Sequence, residues 1–342
     1  MKAMILREYH RPLELVEVDT PRPMRGQILL KVKACGICHS DLKIYRGEIP
    51  PPLVVLPHVP GHEVAGEVAM VGEGVSDVNE GDVGVVYLYV PCRQCEWCII
   101  GQENLCIHLK RIGFDLQGAF AEYLLVPSYS FCPFTKGLPF HEMAILGDAV
   151  ATPYHAIKRL ADVKVGQNVL IVGVGGLGIH GVQIAKLCGA RVIAVDKDQE
   201  ALALAERFKA DVTMKPEGDL VERVRDLTHG RGVDAVIEVV GAPETLGWSL
   251  PSLKKGGTLV LVGYAPGRPF AVDSMAMHYN EWSIIGARLS TKAELLDVIK
   301  LVENGQIHPL VTRTYPFQQT NEAMEVLSTG KTVGRIALTF SD

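Results

Sequence analysis

Asn168-Val169-Leu170-Ile171-Val172 is an uninterrupted apolar run that passes straight into Gly173-Val174-Gly175-Gly176-Leu177-Gly178. A short apolar run closed by glycines reads as a strand buried on both faces, and a helical pattern from about Leu177 to Cys188 follows it. Arg191-Val192-Ile193-Ala194-Val195-Asp196 is the next strand. The alternation continues with helices near 199–208 and 219–228 and strands at 212–213, 235–239 and 258–263. Apolar strands alternating with helices fold as a parallel sheet covered on both faces, an α/β doubly wound plan.

The glycines of the loop have separate tasks. Gly173 permits the tight turn, Gly175 lets the backbone approach a pyrophosphate, and Gly178 lets helix and strand pack closely. Gly176 and Leu177 complete the loop, where the helix N-terminus offers free amides to phosphates. Asp196 ends the second strand, the place from which an acidic residue accepts hydrogen bonds from an adenosine ribose. Its charge repels a 2′-phosphate, so the motif favours NAD over NADP, although Lys197 weakens the preference. A glycine turn without nucleotide is the bland alternative; strand, loop, helix and Asp196 together oppose it.

Residues 1–148 follow another pattern. Short strands near 13–18, 27–33, 67–72, 82–86 and 120–127 are separated by glycine and proline turns, as in a β-rich, barrel-like unit. Apolar residues recur at helical spacing over 142–160, broken at Pro153. The tail holds a helix from Lys292 to Glu303 and a strand within 334–340, expected to return to the first domain. The expected division is 1–148 with 286–342 for the β-rich domain and 149–285 for the nucleotide domain.

Cys92, Cys95, Cys98 and Cys106 are spaced C-x2-C-x2-C-x7-C, which suits four thiolates wrapping one tetrahedral zinc with no open position. An iron–sulfur cluster is the rival, opposed by the long last gap, the missing proline after Cys106 and the polar loop. Cys35-Gly36-Ile37-Cys38-His39-Ser40-Asp41 and Pro60-Gly61-His62-Glu63 supply a second set of donors. A catalytic zinc takes three protein ligands and keeps one position open. Cys38 and His62 are two of them; Asp148, Glu63, Cys35 and His155 are candidates for the third. Asp41 can orient His62, because a ligating histidine usually gives its second N–H to a carboxylate.

The net charge of -5 gives no reason to expect nucleic acid or an anionic membrane as partner. No apolar run is long enough to span a bilayer, and Arg7 and Glu8 interrupt any signal-peptide core, so the cytoplasm is the default location. In that reducing compartment, clustered cysteines point to metal rather than disulfides.

Taken in order, Cys38-His39-Ser40-Asp41, Gly61-His62-Glu63, the Cys92–Cys106 knuckle, Gly173–Gly178 with Asp196, and Gly334-Arg335 resemble the zinc-containing medium-chain alcohol dehydrogenase family over essentially the whole chain. The resemblance implies a GroES-like catalytic domain formed by both ends of the chain, with a Rossmann domain inserted. It implies that Cys38, His62 and Asp148 hold the catalytic zinc, with Glu63 beside them or exchanging as a ligand. Ser40 is then the group touching the reacting oxygen, His39 and Arg335 lie near the pyrophosphate, and Thr152 contacts the nicotinamide. Val240 and Val262 complete the cofactor-binding set.

Asp148 stands where many members carry cysteine, as in the aspartate variant of some bacterial secondary-alcohol dehydrogenases. Those enzymes usually prefer NADP and lack the knuckle, so their substrate preference does not carry over. Lys43 replaces a histidine that ends a proton relay in some members, and an exposed lysine is expected there. The implied activity is reversible hydride transfer between a primary or secondary alcohol and NAD. Two zinc ions per chain and a homo-oligomer, tetramer ahead of dimer, are implied with it. A polyol- or threonine-type dehydrogenase on the same plan is the runner-up. A zinc-independent enoyl or quinone reductase and a non-catalytic NAD-binding protein represent other classes. Trp282, Ile284, Leu116 and Tyr87 are pocket candidates that serve equally well as core.

Overall fold

The computed structural model describes residues 1–341, which fold into two compact units. One contains Met1–Ala149, Thr291–Gly305 and the chain from Pro309 on; the other contains Val150–Ser290 and Gln306–His308. No helix among the described residues is long and apolar enough to cross a membrane.

The first unit is organised on the long strand Gln27–Ile37. Glu63–Val71 runs antiparallel along one side of it, while Tyr123–Pro127 and Arg335–Thr339 divide the other side between them. Val83–Val86, Phe131–Pro133 and Val311–Pro316 complete seven strands. The alternation in Gln27–Ile37 buries Ile28, Leu30 and Val32 against Val64, Val68, Phe120, Leu124, Ile336 and Leu338. Each fully buried aliphatic side chain contributes about 1.5–3 kcal/mol. The pairings Gly36↔Glu63 and Ile37↔Ile336 bring the ends of three strands together. Gly36 is required there, because a Cβ would lie 2.0 Å from Glu63 Oε2.

The second unit is a six-stranded sheet with every pairing parallel. Its order is Val212–Met214, Arg191–Val195, Asn168–Val172, Val233–Glu238, Leu253–Leu261, Ser283–Gly286. Sequence order therefore reverses beside Asn168–Val172, the doubly wound Rossmann arrangement, which binds ligands at the carboxyl ends of the strands flanking that reversal.

The helical reading of 142–160 needs correction. The segment breaks into Phe140–Ala144, a 3-10 turn at Ile145–Gly147, a short helix Ala151–Tyr154 and a π-helix His155–Leu160. Asp148 leaves helical geometry, with φ -131° and ψ -66°, just after Gly147. That break turns an isolated carboxylate out of an otherwise apolar run.

Candidate active site

Cys38 caps the helix His39–Tyr45, and its backbone N–H donates to Asp41 Oδ2 at 2.9 Å. The other oxygen, Asp41 Oδ1, accepts from Gly61 N–H at 3.3 Å. It also lies 3.3 Å from His62 Nδ1, off the line of that N–H. Asp41 is fully buried, so one carboxylate fastens the cysteine motif to the histidine motif. Gly61 has φ +99°, and a Cβ there would meet the Phe120 ring at 2.5 Å. Only glycine lets the turn deliver His62 inward.

Asp148 Oδ2 lies 3.5 Å from His62 Nε2. Cys38, His62, Glu63 and Asp148 each present a ligand atom, all within 4.8 Å of one another, and all four residues are buried. Glu63 differs from the rest because Arg335 Nε donates to both of its oxygens at 3.1 Å and Nη2 donates to Oε1 as well. Arg335 Nη2 also reaches Asp148 Oδ2 at 3.2 Å. Burial favours a neutral Glu63, yet both oxygens face the guanidinium, and the ion pair is the state this geometry describes. Burial likewise opposes the charge on Arg335, but Cys38, Glu63 and Asp148 hold its pKa well above the usual value. Burial opposes a charge on His62 too; Asp41, then Asp148 and Cys38, outweigh it and raise the imidazole well above its ordinary range.

The arrangement fits a divalent cation. The carboxylates of Glu63 and Asp148 bond one guanidinium, with the Cys38 thiol in the same cluster and the Asp41 carboxylate behind His62, so acidic groups outnumber the single arginine in a buried site. With Glu63 taken by Arg335, Cys38, His62 and Asp148 remain as sulfur, nitrogen and oxygen donors, the three-ligand composition of an open zinc site. Ser40 Oγ sits 3.5 Å from Cys38 Sγ, beside this cluster. Cys35 is absent from it and packs into the sheet core, and His155 belongs to the other unit.

Arg335, expected near a pyrophosphate, has its guanidinium bound to Glu63 and Asp148 inside the cluster. Lys43, expected to be exposed, is half-buried, and burial lowers its pKa. His39 is exposed at the start of its helix.

The knuckle gathers Cys92, Cys95, Cys98 and Cys106 with all sulfurs within 4.8 Å. Two separations are 3.9 Å (Cys92–Cys98) and 3.5 Å (Cys95–Cys98). Zn–S bonds of about 2.3 Å in a tetrahedron place sulfurs roughly 3.8 Å apart, so the cage has the size of a single ion. The Cys98 backbone N–H does most to bring the Cys95 thiol down to about 6, the direction a thiolate ligand requires.

In the second unit the glycine loop closes Asn168–Val172. Gly173 has φ +82°, and a Cβ on it would lie 2.7 Å from Val240 Cγ2. A Cβ on Gly178 would lie 1.8 Å from Gly173 O, whereas Gly175 faces open space, the cradle a phosphate needs. Gly176 O pairs with His180 Nδ1 at 2.9 Å, and Leu177 caps the helix Gly178–Leu187. Asp196 accepts from Val174 N–H at 2.8 Å and Asp198 N–H at 2.9 Å, and Lys197 beside it is exposed. Thr152 is buried on its short helix. Val240 is 45% exposed beyond one strand, and Val262 N–H donates to Glu238 O beyond the next.

Glu238 escaped the sequence reading. It is fully buried and accepts from Gly241 N–H at 2.6 Å, Val240 N–H at 3.2 Å and Thr245 Oγ1 at 2.8 Å. Burial raises its pKa, and its acceptor bonds hold the turn that carries Val240. An acidic residue closing an apolar parallel strand was the available signal. Of the pocket candidates, Tyr87 is fully buried core, Leu116 packs against the first core, and Trp282 and Ile284 pack against the second.

Comparison with known proteins agrees with this plan. Residues 24–136 match the alcohol dehydrogenase GroES-like domain and residues 176–304 the zinc-binding dehydrogenase domain. A NAD-dependent alcohol dehydrogenase of Sulfolobus acidocaldarius is 36% identical over 99% of both chains. An L-threonine 3-dehydrogenase of Pyrococcus furiosus is 35% identical over 93% of both. The crystal structure of the alcohol dehydrogenase from Aeropyrum pernix superposes with a TM-score of 0.93 at 33% identity, covering 99% of this chain and 100% of that one. The chain belongs to the zinc-containing alcohol dehydrogenase family, with a GroES-like domain and a Rossmann domain.

Proposed function

We propose that the protein is a zinc- and NAD-dependent alcohol dehydrogenase, interconverting a primary or secondary alcohol with its aldehyde or ketone. The observation that carries the proposal is the convergence of Cys38, His62 and Asp148 on one buried point beside Ser40. Cys38 Sγ, His62 Nε2 and an Asp148 oxygen are the donors for catalytic zinc, and the four knuckle thiols are the donors for a structural ion, giving two zinc ions per chain. When bound, zinc supplies Lewis acidity to a hydroxyl or carbonyl oxygen and NAD supplies a hydride acceptor.

The chain's own residues do the rest. Ser40 Oγ relays the hydroxyl proton of the substrate during oxidation, giving up its own proton towards solvent as it accepts the substrate's, and the exchange runs backwards during reduction. Asp41 orients His62, and Arg335 keeps Glu63 charged but occupied. The glycine loop and the amides opening its helix receive the pyrophosphate, with His39 assisting, and Asp196 reads the ribose. Thr152, Val240 and Val262 line the remaining cofactor surface. A homo-oligomer, a tetramer by preference, in the cytoplasm completes the proposal.

The ribose assignment gives a direct prediction. Asp196→Gly with Lys197→Arg should raise the NADP/NAD ratio of kcat/KM by about tenfold or more, the worth of a charge-assisted hydrogen bond. An unchanged ratio would remove Asp196 from the ribose.

Similarity to an L-threonine 3-dehydrogenase supports a second reading, a hydroxy-amino-acid substrate. Rates of NAD reduction with primary, secondary, cyclic and poly-alcohols and with threonine separate the two. The proposal expects a simple alcohol to give the highest kcat/KM; threonine or a polyol exceeding every simple alcohol would overturn it.

A further inference from the structure

Asp41 leaves the orientation of His62 incompletely fixed, because its oxygen lies off the line of the Nδ1 N–H. A second contact acts on the ring itself. The Phe114 ring centroid lies 4.9 Å from that of His62, at an interplanar angle of 48°. Phe114 is 7% exposed, and its loop is built around the histidine turn. Gly113 has φ +77°, and a Cβ there would meet Gly61 O at 2.6 Å and His62 Cβ at 3.0 Å. His58 Nε2 pairs with Gly113 O at 3.0 Å, and Ala119 and Phe120 donate to Gly61 O and Pro60 O at 2.9 Å each.

Phe114 is itself held. The Arg111 guanidinium carbon lies 4.5 Å from its ring centroid, within cation–π range. Asp115 Oδ2 accepts from Arg111 Nε at 2.8 Å and from Arg111 N–H at 3.0 Å, which fixes the guanidinium and neutralises its charge.

We propose that Phe114, braced by Arg111 and Asp115, is a positioning residue that fixes the ring plane of His62 and thereby aims Nε2 at the metal. This rests on the reading of Cys38, His62 and Asp148 as a metal site and adds a control that the ligands alone do not reveal. A ring packed against the imidazole resists its tilt, which a carboxylate at one nitrogen resists poorly. Losing the aromatic ring should let the His62 imidazole tilt, which would loosen an ion held there without disturbing the knuckle.

The test compares wild type, Phe114→Ala, Phe114→Tyr and Arg111→Met in two measurements. One is the rate at which a chelator removes each zinc; the other is the visible spectrum after cobalt replaces the ion at Cys38. Phe114→Ala should release the Cys38-site ion about tenfold or more faster, the scale of lost outer support. Its knuckle ion should be retained as in wild type, its cobalt bands should shift, and kcat should fall more than KM rises. Phe114→Tyr keeps the ring and should restore wild-type release and spectrum. Arg111→Met should move both readouts in the same direction by less, and it decides the matter if Phe114→Ala does not fold. Wild-type release and spectrum in Phe114→Ala, or in Arg111→Met where that variant decides, would overturn the proposal. Wild type with no removable ion beyond the knuckle would instead refute the metal site itself, together with everything resting on it.

Discussion

Ser40→Ala is expected to lower kcat by about 10²- to 10⁴-fold, the usual worth of a positioned proton-transfer group. The hydroxyl lies beside Cys38 Sγ at 3.5 Å and is not among the metal donors, so its removal should leave the ion in place. Zinc content and thermal midpoint should match wild type, and NAD affinity should change little. This combination separates a proton carrier from a structural serine. Retained kcat would transfer the proton step to another group, and the half-buried Lys43 would be the first to examine.

Asp148→Asn should be at least as damaging, for a different reason. The substitution keeps size and removes the charge that faces His62 Nε2 at 3.5 Å. Loss of an outer partner typically costs 10–100-fold in metal affinity or activity. Loss of a ligand charge should exceed that, so kcat/KM should fall by more than about a hundredfold. The fold should survive, because Arg335 keeps its bonds to Glu63, and the ion pair that ties Arg335–Thr339 to Glu63–Val71 across the end of Gln27–Ile37 remains. If activity persists within a few-fold, Glu63 rather than Asp148 completes the site.

The parts of the molecule visible in the sequence are those whose chemistry is local. The knuckle lies between Cys92 and Cys106, and the glycine loop follows its strand without a gap, so spacing alone carries them. Asp41 was anticipated because a ligating histidine needs a second partner. The place of Asp148 in the cluster was not derivable from spacing. Asp148 meets Cys38 and His62 only through strand pairing and through the break in helical geometry after Gly147, and it was selected by family resemblance. Glu63 and Arg335 are 272 residues apart, and their ion pair depends on the pairing of Gln27–Ile37 with both Glu63–Val71 and Arg335–Thr339. Strand register of that range leaves no mark in a single sequence. Phe131–Pro133, Tyr89–Val90 and Lys110–Arg111 are too short for period-two alternation to register. Glu238 and Phe114 read as ordinary members of their segments until their partners are placed around them.

The central claim is that two separate groups of side chains each hold an ion, one of them through Asp148. Zinc per chain, measured by atomic emission on wild type and Asp148→Asn purified side by side, tests it most directly. The account predicts one ion for each ligand group in wild type and only the knuckle ion in the variant. Equal zinc content in the two proteins, or a wild type that holds the knuckle ion alone, would contradict it.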